Sequence, residues 1–144
     1  MSIDKGGIIF SMGDEVSGYW SQLISGEPAS KSNQRRIVLI HGKVRVIKSA
    51  KALAYAKSFA VQVTPPPEPI EGDVELGAIV WYRTRRPDLD VSLLMDLLQA
   101  SHVIKNDRQI KVMKAYHQID KKNPRSLLRV SKLPEDFGLP SWSE

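Results

Sequence analysis

Residues 73–101 read DVELGAIVWYRTRRPDLDVSLLMDLLQAS, and a change of hydrophobic period inside this stretch decides the fold class. Val74, Leu76, Ala78, Val80 and Tyr82 alternate with other residues, the period of a strand that buries one face. From Val91 the spacing changes. Val91, Leu94, Leu97 and Leu98 share one side of a helix, and Ser92, Asp96 and Gln99 share a polar one. Between the two, Pro87 biases Arg86 toward extended geometry, so the arginines are expected to close the strand and the helix to start after the aspartates.

Working outward, RRIVLI (35–40) and KVRVI (43–47) are β-branched runs around His41-Gly42, a two-residue connection of the hairpin kind. Ser49 caps the alanine-rich AKALAYAKSFA (50–60), a helix expected to present Leu53, Ala56 and Ala60 as one stripe. TPPPEPIEG (64–72) must end it, because successive prolines remove donors and fix φ. Downstream, RQIKVMKAYHQI (108–119) and SLLRVSKL (126–133) read as strands before a proline-containing tail, residues 133–144. The expected order is β-β-α-β-α-β-β, which makes the chain an α+β protein. Its 144 residues suit one small domain able to bury a core without staples.

The chain has no cysteine, so disulfides and thiolate metal sites are excluded, and a reducing, intracellular setting is the natural expectation. The N-terminal MSIDKGGIIF lacks the pattern of a signal peptide, and no stretch approaches a membrane span, so a cytoplasmic protein is expected. Net charge is +5, and its distribution says more than its size. Apart from Lys5, the basic residues fall in three groups: Lys31 to Lys57 with no acid among them, Arg83 to Arg86, and Lys105 to Lys132. Such segregation suits a polyanion, since each neutralised phosphate releases counterions. A solvated lysine-rich surface is the other reading.

Against this basic background stand Asp88, Asp90 and Asp107. If the first two remain extended, a period of two sets them on one side, and Asp107 can approach from the loop before the next strand. Two carboxylates about 4 Å apart repel by roughly 4 kcal/mol at an effective dielectric of about 20, so a tight cluster wants a cation. Hard oxygen donors without His or Cys suit Mg²⁺, or Mn²⁺, the ions that assist phosphodiester hydrolysis. Each acid also has an ordinary use: Asp90 as a helix N-cap, Asp88 as a turn residue, Asp107 as a loop acid.

The stretch RRPDLDVSLLMDLLQASHVIKNDRQI (85–110) resembles the metal-binding core of RusA-type Holliday junction resolvases, in the phage-borne branch. There a DLD or DLS element opens a helix and a later DDxQ or NDxQ supplies a further aspartate. GEPASKSNQRRIV and IKSAKALAY are similar to the N-terminal half of such proteins, so the resemblance spans roughly Gly26 to Val112. Residues 1–25 are then a variable N-terminal segment. The resemblance implies a single domain with a mixed β-sheet and two main helices. It also implies a homodimeric, Mg²⁺-dependent endonuclease cutting four-way DNA junctions, with Asp88, Asp90 and Asp107 as catalytic and metal-holding residues. Asp96 matches a frequent helix aspartate to which no direct catalytic role is given. The chain departs from the pattern at Val91 and Leu94, where many relatives have Asn and a lysine. Lys105, Lys111 or Arg108 are the candidates to replace that lysine.

DNA contacts are expected from Lys31, Ser32, Asn33, Arg35, Arg36, Lys48, Arg83, Arg85, Arg86, Lys105, Arg108 and Lys111. Trp81 and Tyr82 could stack on exposed bases, although at least one belongs in the core of an apolar strand. His41, His102 and His117 show no ligand pairing and read as turn or surface residues. No GxxxxGK loop or other nucleotide-cofactor motif is present. The competing functional reading is a non-catalytic basic DNA- or RNA-binding module.

Overall fold

The alternation of residues 74–82 is realised in full: Val74, Leu76, Ala78, Val80 and Tyr82 are all buried. The computed structural model describes residues 18–30 and 35–143, with the backbone alone for residues 35–37, 46 and 48. Its elements in chain order are β1 (Tyr19–Ser25), β2 (Arg35–Ile40), β3 (Lys43–Lys48), α1 (Ala50–Gln62), β4 (Val74–Tyr82), α2 (Ser92–Ala100), β5 (Ile110–Ile119) and β6 (Arg125–Lys132). The α+β expectation holds, with two helices and a mixed sheet. The sequence-based order lacks the strand at Tyr19–Ser25, which lies in a segment to which that order assigns no element.

The main sheet has the order β1-β6-β4-β5, and β2 and β3 form a separate hairpin. β6 runs antiparallel to both β1 and β4, whereas β5 lies parallel to β4 with Tyr82 opposite Ile119. A parallel pair needs a crossover, and α2 supplies it. Four leucines of α2, Leu93, Leu94, Leu97 and Leu98, are buried, each stabilising the packing by roughly 2 kcal/mol relative to exposure. In the hairpin, His41 and Gly42 both have positive φ, 52° and 76°, which is the backbone of a tight two-residue turn.

α1 begins where expected: the Ser49 hydroxyl accepts the Ala52 amide at 3.1 Å. Its buried stripe is Ala52, Tyr55 and Phe59, not the expected Leu53, Ala56 and Ala60. Leu53 is 54% exposed and Ala56 only partly buried. β1 is stitched to the end of α1 by polar contacts. Gln22 Nε2 donates to Gln62 O at 2.7 Å, Gln22 Oε1 accepts from Thr64 N at 2.8 Å, and Trp20 Nε1 donates to Thr64 O at 2.9 Å. No helix of the described residues is long and apolar enough to cross a membrane.

Candidate functional site

β4 stops at Tyr82, so Arg83 to Arg86 do not close the strand but start an exposed loop that carries the aspartates onward to α2. The loop is pinned at three points. The Arg83 amide donates to Glu27 Oε1 at 2.7 Å, the Pro87 carbonyl meets His117 Nε2 at 2.9 Å, and the Asp90 amide reaches the Tyr82 hydroxyl at 3.3 Å. A carbonyl only accepts, so His117 holds its proton on Nε2 and serves as a loop anchor, its ring stacked on Tyr82 at 4.5 Å.

Asp90 does not cap α2 in the strict sense, since Val91 is the capping residue. Instead its Oδ1 accepts from both the amide and the hydroxyl of Ser92, at 3.0 and 2.8 Å, fixing the carboxyl at the start of the helix. Asp88 is exposed. With Arg85, Pro87 and the C-terminal end of β5 it lines a hollow of about 610 Å³. Carboxylate and guanidinium thus line one opening, the juxtaposition a metal-bridged phosphate requires.

Burial raises the pKa of the Tyr82 phenol above its ordinary value, and the charges of Asp90, Glu27 and Asp88 push the same way. The phenol therefore stays protonated at neutral pH. Glu27 was not singled out in the sequence, yet its side chain is 8% exposed and its Oε2 meets Lys51 Nζ at 3.2 Å. Lys51, from the first turn of α1, thus shares Glu27 with the Arg83 amide at the start of the loop. No motif in SGEPAS or AKALAY announces the pair, which only the packing of α1 against β1 creates.

Asp107 lies elsewhere. It opens the short 3-10 turn Asp107–Gln109 just before β5, at the end of the strand opposite to His117 and the Asp88 hollow. From Ile110 to His117 is about 23 Å of extended chain. The Asp107 amide donates to Gln99 in the last turn of α2, whereas Asp90 precedes the first, so about 13 Å of helix separates the two. The expected three-aspartate cluster is therefore not formed within one chain. Among the described residues no group of three His, Cys, Asp or Glu side chains is placed to hold a metal.

The neighbours of Asp107 in the NDRQ motif have structural work. Asn106 and Gln109 form a capping box, and Gln109 Nε2 donates to the carbonyls of Ile70 and Gly72, both at 2.8 Å, tying the crossover to the strand start of β4. The basic residues divide likewise. Arg83, Arg85 and Arg86 stand with Asp88 and Asp90, whereas Lys105, Arg108 and Lys111 stand with Asp107. Lys105 pairs with Glu71 at 3.0 Å on the exposed surface. The substitutes expected for the lysine thus stand with Asp107 and not with the aspartate pair, whereas Lys51 pairs with Glu27, the acid that also accepts the Arg83 amide. Lys31, Ser32 and Asn33 lie outside the described residues. Arg35, Arg36 and Lys48 are described through their strand backbone only, and Asp96 is exposed on α2. His41 and His102 occupy positive-φ turns, as expected. Of the aromatic pair, Tyr82 is core and Trp81 is partly exposed on the opposite sheet face.

No protein-family model matches this chain, and no curated protein matches it.

Proposed function

We propose that the protein is a divalent-metal-dependent endonuclease acting on branched DNA, four-way junctions foremost, as a homodimer. The observation that carries this reading is the hollow lined by both Asp88 and Arg85, with Asp90 fixed beside it at the start of α2. The donor set fits Mg²⁺, which takes one or two carboxylates and completes its shell with water and substrate phosphate oxygens. Asp88 and Asp90 are the residues to hold it, and the ion supplies charge stabilisation of the phosphate under attack. The protein's own groups do the rest. Arg85 and Arg86 hold the DNA backbone against the loop, Glu27 pairs with Lys51, and the Tyr82 hydroxyl and Ser92 fix the orientation of Asp90.

Asp107 joins this centre from a second copy. β5 is a sheet edge, and a two-fold axis across that edge reverses the strand. The Asp107 end of one copy then faces the Asp88 end of the other. Such a dimer has two centres, one for each of two strands of a junction.

A labelled four-way junction incubated with the protein and Mg²⁺ should be nicked, and EDTA should stop the reaction. Asp88→Asn, Asp90→Asn and Asp107→Asn should each lower cleavage by at least about a hundred-fold, or roughly 3 kcal/mol of barrier, with binding retained. Undiminished cleavage by all three variants refutes the site. Tight binding without nicking under any divalent ion would leave the basic binding module as the reading.

A further inference from the structure

Both helices pack on one face of the four-stranded sheet, and the residues of the other face take no part in that core. The strand register arranges that open face in rows. One row sets Arg129 and Lys114 on either side of Gly77, the next sets Leu127, Ile79 and Tyr116 side by side, and a third sets Arg125 beside Trp81. Cationic and apolar rows therefore alternate along the strands. Leu127 is 36% exposed and Tyr116 is 54% exposed, so the middle row is accessible. Between it and the Arg129–Lys114 row is a hollow of about 220 Å³ over the backbone of Gly77. The Arg125 guanidinium carbon lies over the Trp81 ring, 4.1 Å from its centroid, a cation–π contact on the same face.

We propose that this face binds single-stranded DNA, with bases on the Leu127–Ile79–Tyr116 row and phosphates on Arg129 and Lys114. Charge complementarity selects a polyanion over a second copy of the chain, because face-to-face association would bring Arg129, Arg125 and Lys114 against one another. Two acids share the face and do not reverse its sign. Glu75 approaches Lys114 at 3.7 Å, and Asp120 holds Arg125 at 2.8 Å. Among the described residues Arg129 has no acidic partner. An apolar row accepts a base plane from any nucleotide, whereas a duplex hides those planes. It also suits deoxyribose better than a ribose hydroxyl, which needs a partner when buried.

The site is distinct from the Asp88 loop and requires no metal, so its test is run in EDTA on the full chain. A fluorescent oligothymidylate of about a dozen nucleotides is titrated at several salt concentrations, with a duplex and an oligouridylate of equal length beside it. Tyr116→Ala should weaken strand binding about five-fold or more and leave duplex binding unchanged. Lys114→Ala and Arg129→Ala should each lower the salt slope by about 0.7. Gly77→Val is a second probe, since an added Cβ meets only ordinary contacts, the nearest at 3.8 Å, while the side chain fills the hollow. It should weaken strand binding without lowering the melting temperature. The proposal is overturned by absence of strand binding, by wild-type affinity in both Tyr116→Ala and Gly77→Val, or by equal losses on duplex. Preference for the ribo-oligomer, or a change of oligomeric state in Tyr116→Ala, overturns it as well.

Discussion

Tyr82 joins the core to the candidate site in one side chain. Its ring is fully buried and stacked on His117, while its hydroxyl accepts the amide of Asp90. Its pKa is raised, first by burial and then by the Asp90, Glu27 and Asp88 charges; that of Tyr55 is raised further, chiefly by burial. A phenol with a folded pKa above its unfolded value binds its proton more tightly when folded, so its stabilising contribution is complete below pH 10 and falls away above it. Thermal melts from about pH 8 to about pH 11 should show stability dropping steeply past pH 10. Tyr82→Phe should shrink that drop. Below pH 9 the same variant should cost about 1 kcal/mol, because the Asp90 amide loses its acceptor. A pH profile identical to wild type would contradict this assignment. The burial of Tyr82 was legible from strict alternation in β4. The Glu27–Lys51 pair was not, because an acid 8% exposed in a polar loop leaves no trace in a local pattern.

At the scale of elements, the two errors share a cause: pattern reading depends on contrast between polar and apolar positions. The helix α1 is so rich in alanine that Leu53-Ala56-Ala60 and Ala52-Tyr55-Phe59 have the same spacing. The larger ring surfaces win the core, turning Leu53 outward. Phe59→Ala should therefore cost about 3–5 kcal/mol by denaturant unfolding, and Leu53→Ala within about 0.5 kcal/mol of zero. Equal losses would restore the leucine stripe. β1 escaped notice because Gln22 occupies an inward position between Trp20 and Ile24. Its amide is satisfied by Gln62 and Thr64, a pairing 40 and 42 residues distant. Elements with clear signals were correctly read: the two-residue turn of the hairpin, the Ser49 cap, β4, and the leucine face of α2. Even the NDRQ motif was legible as a unit, although Asn106 and Gln109 are occupied in capping the turn and tying it to residues 70 and 72.

On the scale of the whole molecule, the parallel pairing of β4 with β5 governs where the candidate acids fall. A strand, a crossover helix and a parallel strand return the chain to the end where it began, so acids before α2 and acids after it are held apart. Proximity in sequence, 17 positions from Asp90 to Asp107, suggested the reverse. A dimer that joins the Asp88 end of one copy to the Asp107 end of the other makes a decisive prediction, because its centres are shared. In such a dimer, Asp88→Asn and Asp107→Asn proteins should each be inactive alone. Mixed and allowed to exchange subunits, they form heterodimers in which one centre carries both substitutions and the other carries neither. Random exchange gives half heterodimers, each with one intact centre of two, so nicking should recover to about a quarter of the wild-type level. Recovery should be confined to single nicks, because the second centre is dead. A centre built within each chain gives no recovery at any mixing ratio. Mixing Asp88→Asn with Asp90→Asn is the control. Both substitutions fall on the same half of the centre, so neither heterodimer centre is restored and the mixture should remain inactive.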